Sequence, residues 1–374
     1  MRIVVAPDKF KGSLTAVQVA EAVSAGLAQD RDDIETTLLP VADGGDGTVA
    51  AALSVGYSPV RVDAVGPTGE PLTATYAVDD ADGVAVVELA AVVGLDLLPG
   101  GVLEPLRSST YGLGLVVREA LRRGVGELVL GVGGSASTDG GAGMVQAMGA
   151  QVLDREGHGL PAGGAALREV AAVDVGRVTE LVGSTAVMVA SDVDNPLLGP
   201  RGAAAVFGPQ KGATGRDIDV LEAGLTAWAR AVAATTGRDV ADQPGAGAAG
   251  GAGFAALAVM GAQIRPGIEL VLELVGFEKA VAGADLVVTG EGSLDEQSLA
   301  GKTPVGVAAA ARAHGVPVVA VAGRSSLSEQ QLAAAGISAC YRLSDLEPDP
   351  ARSMAGAAPL LTEVGRRIAL GLHA

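Results

Sequence analysis

The segment Asp285-Leu286-Val287-Val288-Thr289-Gly290-Glu291-Gly292-Ser293-Leu294-Asp295 opens a regular alternation that decides the fold. Its apolar run reads as a strand over 285–289, and the alternation continues to the end of the chain. A helix is expected over 304–314, a strand over 317–321, a helix over 326–335, a strand over 338–341 and a helix over 351–372. Such strand–helix alternation builds a parallel sheet with right-handed crossovers. The N-terminus joins the pattern. Arg2-Ile3-Val4-Val5-Ala6 reads as a short buried strand, and a helix follows it. Thr15, with Gln18 three residues on, makes a capping box, and Val17, Ala20, Val23 and Leu27 supply the apolar stripe.

Between 57 and 98 the rhythm changes to short strands with turns, such as Val60-Arg61-Val62, Leu72-Thr73-Ala74-Thr75-Tyr76 and Val84-Ala85-Val86-Val87-Glu88-Leu89. A helix over 111–123, a strand over 127–130, a helix over 141–148 and a long helix over 217–235 come next. The 374 residues suit two or three domains.

Aromatic residues make up only 2% of the chain, so the core must be packed with Val, Leu and Ala. A formal charge of −17 argues against nucleic acid or an anionic membrane as partner. An anionic substrate therefore needs a local cluster of cations. The single Cys340 excludes an intrachain disulfide and fits a reducing compartment. His158, His314 and His373 have no zinc spacing, so any metal should be a hard cation held by carboxylates. Asp8, Lys9 and Lys11 interrupt any secretory run, and the uncharged stretch 245–264 is mostly Gly and Ala, too weakly apolar to insert in a membrane. A soluble, cytoplasmic protein is expected.

Four strand-like runs end in glycine loops that carry carboxylates. They are Ala42-Asp43-Gly44-Gly45-Asp46-Gly47, Gly131-Val132-Gly133-Gly134-Ser135-Ala136-Ser137-Thr138-Asp139-Gly140-Gly141, Ser191-Asp192-Val193-Asp194-Asn195-Pro196, and the 290–295 loop quoted above. Ligands of open α/β sheets sit at the carboxyl ends of strands. Glycine lets backbone N–H groups approach phosphate, and carboxylates there can hold Mg²⁺. A nucleotide-using phosphotransferase is the expectation. Five of the 26 basic residues are lysine, and Lys9, Lys11, Lys211 and Lys302 lie in turn-like segments where a compact ammonium is useful. Gly301-Lys302-Thr303 resembles the end of a P-loop, but Glu296 stands where its first glycine belongs. Thr303-Pro304 reads instead as N-cap and first residue of a helix. Gly131-x-Gly133-x-x-Ala136 matches a dinucleotide fingerprint and keeps open an alternative, a nicotinamide-dependent oxidoreductase acting on a small hydroxy acid.

Taken in order, these segments resemble the bacterial glycerate kinases, the glycerate 2-kinases of the glyoxylate and glucarate pathways. Ala6-Pro7-Asp8-Lys9-Phe10-Lys11-Gly12-Ser13, Ser108-Ser109-Thr110-Tyr111-Gly112 and Gly208-Pro209-Gln210-Lys211-Gly212-Ala213 carry the resemblance together with the four loops and Gly301-Lys302-Thr303-Pro304. The resemblance implies ATP-dependent phosphorylation of D-glycerate, usually at the 2-hydroxyl, with Mg²⁺. It also implies two α/β domains with the active site in the cleft between them. One is Rossmann-like with a parallel sheet and discontinuous, 1–62 and 265–374; the other is an inserted α/β domain with a mixed sheet, 63–264. A homodimer is one expected assembly.

On this reading Lys9, Ser13, Asp43, Ser109 and Arg324 bind substrate, the cations taking the carboxylate and Asp43 a hydroxyl. Lys11 and Asp192 are the expected catalytic pair, with Asp192 near the attacking hydroxyl. Gly133, Gly134, Ser135, Ser137, Thr138, Gly290, Gly292 and Lys302 are expected to bind nucleotide phosphates, and Asp139, Asp194 and Glu291 the metal.

Overall fold

The computed structural model describes residues 1–372, so His373 lies outside the described residues. The strands, in chain order, are β1 Arg2–Pro7, β2 Glu35–Leu38, β3 Ser58–Val65, β4 Pro71–Asp79, β5 Val84–Glu88, β6 Glu127–Gly131, β7 Gln151–Leu153, β8 Ala172–Asp174, β9 Ala186–Ala190, β10 Gln263–Arg265, β11 Leu286–Leu294, β12 Val318–Ser325 and β13 Ala339–Arg342. The chain divides into two compact units. The first comprises Met1–Asp43, Ala50–Gly56 and Gly267–Ala374, and the second Gly44–Val49 and Tyr57–Pro266. The division keeps β3 whole with its partner β4, whereas a boundary at 62/63 would cut through it.

In the first unit five strands form one sheet in the order β13-β12-β11-β1-β2, every pair parallel. Side chains of successive residues face opposite ways. Val4, Ala6 and Val287 enter one core with Ile268, Val271, Val307 and Leu332. Ile3, Val5, Leu286 and Val288 enter another with Val19, Val23, Leu361 and Val364. Both faces are thus covered by helices, as parallel sheets require. The capping box on Ala16–Leu27 forms as expected, Thr15 Oγ1 accepting from Gln18 N and Gln18 Oε1 from Thr15 N. That helix lies against Ala357–Gly371 so closely that a Cβ on Gly26 would strike the Thr362 carbonyl oxygen. The expected helix 351–372 is broken at Gly356 into Pro350–Ala355 and Ala357–Gly371.

The sheet of the second unit runs β10-β9-β6-β5-β4-β3. Its pairs are parallel from β10 to β5 and antiparallel from β5 to β3. Lone Trp228, fully buried on the helix Gly215–Thr236, donates from Nε1 to the Gly140 carbonyl at 2.9 Å and ties that helix to the 131–141 loop. Among the described residues no helix is long and apolar enough to cross a membrane.

Candidate functional site

In the first unit the chain passes from β1 to β2 on one side, while β11, β12 and β13 extend from β1 on the other. Strand order therefore reverses between β1 and β11, the position where open α/β sheets bind ligands. Asp8 follows β1 at that point, and its N–H donates to the Gly290 carbonyl of β11 at 2.8 Å. Its carboxylate accepts from Lys9 N at 2.6 Å and from Thr303 Oγ1 at 2.8 Å. Burial pushes the Asp8 carboxyl up to about 6, against the pull of Lys9, with Asp43 adding to the rise. Glu291, one residue along β11 from Gly290, is raised to about 7, first by burial and further by Asp8 and Asp295, while the Ser298 hydroxyl and then Lys302 oppose the rise. Its Oε1 is buried and has no hydrogen-bond partner.

Lys302 is the N-cap of Thr303–Ala313, a place taken in the sequence reading by Thr303. Thr303 falls inside the helix because its hydroxyl is directed to Asp8 instead of to its own backbone. Arg324 on β12 is exposed and donates from Nε to Ser293 Oγ at 3.2 Å. The structure thus gathers Lys9, Asp43, Gly290, Glu291, Lys302 and Arg324 at or beside the carboxyl edge of one sheet. It adds Asp8 and Thr303, to which the sequence reading gave no part in the site. Gly292 adjoins the Phe10–Lys11 backbone, and Lys11 is exposed. Ser13 turns away from substrate duty, since its hydroxyl donates to the Met354 carbonyl at 2.7 Å.

The second unit corrects several expectations. Asp139 is 1% exposed, and its carboxylate accepts from Ser109 Oγ, Thr110 N, Thr110 Oγ1, Gly141 N and Gly143 N. With its acceptor sites filled by protein donors, Asp139 is an anchor for the loop and not a metal ligand. Ser109 is part of that anchor, buried and committed to Asp139, so it does not face substrate. Ser137 and Thr138 are fully buried and Ser135 nearly so. Their side chains lie within the loop and not on its surface, which leaves Gly133 and Gly134 as its more open part. Asp194 is exposed and pairs with Arg201 at 3.3 Å. Asp192, also exposed, follows β9. No group of three or more His, Cys, Asp or Glu is placed to hold a metal among the described residues.

The fingerprint glycines have a packing cause. A Cβ on Gly131 would lie 2.7 Å from the Gly44 carbonyl oxygen, and one on Gly133 would lie 2.7 Å from Gly45 Cα. Glu88 Oε2 holds the 44–48 loop, accepting from Gly47 N at 3.0 Å and Val49 N at 3.2 Å. Glu88 also escaped the sequence reading, since a carboxylate ending a buried strand carries no local signal. On the other side Ala249 takes φ 50°, the sole left-handed non-glycine among the described residues. That conformation costs about 1 kcal/mol or more and persists where packing imposes it.

A model of the glycerate kinase family matches residues 3–373. The chain belongs to the glycerate kinase family. It is 42% identical to a glycerate kinase of Halalkalibacterium halodurans over 98% of this chain and 97% of that one. It is 40% identical to the glycerate 2-kinase of Escherichia coli K12 over 86% of this chain and 85% of that protein. A crystal structure from Salmonella typhimurium LT2, assigned as glycerate kinase 2, superposes with a TM-score of 0.87 at 39% identity, covering 99% of this chain and 97% of that one. Membership of this kinase family, with the packing role of the fingerprint glycines, removes support for the oxidoreductase alternative.

Proposed function

We propose that this protein transfers the terminal phosphoryl group of ATP to a hydroxyl of D-glycerate, the 2-hydroxyl by preference. The observation that carries the reading is the family match along nearly the whole chain. The name of the Escherichia coli relative favours the 2-hydroxyl. Phosphoryl transfer needs mainly positioning and neutralisation of charge. Lys9, Lys11 and Arg324 are cations suited to the glycerate carboxylate, and Asp43 is an acceptor for one of its hydroxyls. Lys302, at the N-terminus of Thr303–Ala313, suits a phosphate through its charge and the helix dipole. Asp192 remains the proposed carboxylate near the attacking hydroxyl, and Asp8 is its rival.

Mg²⁺ belongs to the same proposal. Of the three carboxylates expected to bind it, Glu291 fits best, because its Oε1 is an oxygen donor that no protein group uses. When bound, the ion would offset the charge of the transferring phosphoryl group. An ADP-coupled assay with D-glycerate tests the activity, and phosphorus NMR of the product assigns the hydroxyl. Turnover with another hydroxy acid and none with D-glycerate would reject the substrate and keep the kinase.

A further inference from the structure

Lys211 closes the short turn Pro209–Lys211 and is 2% exposed. Its ammonium donates to the Ser137 carbonyl oxygen and, at 3.4 Å, to Ser135 Oγ, and it makes no ion pair among the described residues. No other ionisable side chain occurs in 208–213, in the helix Ala203–Phe207, in the loop 131–138, or in Ala248–Ala255, whose Ala249 carbonyl meets Ser135 Oγ. Asp139 is the charge in its field, and that carboxylate is already filled by donors from 109–110 and 141–143. Burial pushes the Lys211 ammonium down to about 7. A buried cation without a matching anion is costly. A protein can hold one where it acts on something besides its own stability. The left-handed Ala249 touches the same loop, a second departure from low-energy structure at one place.

We propose that Lys211 is a positioning residue, which from beneath the loop fixes the open main chain of Gly133 and Gly134 as a seat for an anionic phosphate of the nucleotide and takes up a proton when that phosphate binds. This rests on the kinase reading above. The cation beneath supplies local attraction for an anion in a chain of net charge −17. The proton comes from solvent, and no bond of the nucleotide changes.

The five lysines make the test direct. Enzyme labelled with ¹³C at lysine Cε gives few signals, and Lys211 is identified by its loss in Lys211→Met and by its near-neutral titration. Slightly above neutrality, saturating ATP without acceptor should move that signal to its protonated position. In folded Lys211→Met, KM for ATP should rise on the order of tenfold or more while KM for D-glycerate stays within about twofold. A lysine serving only the fold would lower the melting temperature but leave its signal indifferent to ATP, and that result overturns the proposal. Should the variant fail to fold, the wild-type titration decides alone. Phosphorylation of D-glycerate with an ATP-indifferent signal rejects the inference and keeps the function. An ATP-sensitive signal without phosphorylation of D-glycerate does the reverse.

Discussion

Thr303 Oγ1 donates to Asp8 Oδ2 at 2.8 Å, and this bond ties the first turn of a helix to the end of β1. It places a buried carboxyl at the strand reversal, beside Glu291, with Lys302 one residue away along the chain. Asp8→Asn keeps the shape and removes the charge. If Asp8 serves the reaction, kcat should fall on the order of 10²-fold. Thr303→Val should cost less, about tenfold. Asp192→Asn, measured alongside, decides between the two carboxylates: the one whose loss spares kcat is not the base.

Glu291→Gln replaces one oxygen of the carboxylate by an amide nitrogen and removes the charge. The Mg²⁺ concentration giving half-maximal activity should rise on the order of tenfold, with KM for D-glycerate little changed. An unchanged Mg²⁺ dependence would leave the ion to the nucleotide and water.

Lys11 is exposed beside a glycine turn, and Lys302 caps a helix. Arginine conserves their charge but is planar and longer. Lys11→Arg and Lys302→Arg should each lower kcat/KM on the order of tenfold, whereas Lys279→Arg, on Phe277–Val281, should be nearly neutral. Equal behaviour of all three would remove the argument that retained lysine marks function.

Stability should respond to pH in opposite senses at two residues. The Asp8 carboxyl is raised from 3.8 to about 6, so the stability it contributes is complete below 3.8 and is lost as pH rises through about 6. Lys211 is lowered from 10.5 to about 7, so its contribution is complete above 10.5 and is lost as pH falls through about 7. Denaturation midpoints across both windows check this. Asp8→Asn should flatten the acid slope, and Lys211→Met the neutral-to-alkaline one.

Elements with a strong local signature were legible in the sequence. The capping box of Thr15 and Gln18 and the βαβ run of the C-terminal part are fixed by neighbours in the chain. The side chains of the loops were harder to place. Ser109, Ser137, Thr138 and Asp139 have the composition of a phosphate loop, yet all are buried: Ser109 is committed to Asp139 across 30 residues of sequence and Ser137 Oγ to Ser135 Oγ, which no local pattern announces. Glu88 and Asp8 find their partners 41 and 295 residues away, and no spacing rule reaches so far.

The close approach of Ala16–Leu27 to Ala357–Gly371 at Gly26 has a consequence for biosynthesis. Almost all of the second unit is encoded without interruption, from Tyr57 to Pro266. The first unit must wait: β1 gains its neighbour β11, and Gly26 its opposing helix, only when the last quarter of the chain emerges. On the ribosome the inserted unit can therefore complete itself early, while the N-terminal strand has β2 alone beside it and its helix waits for Ala357–Gly371, both depending on the slow closure of a very long loop.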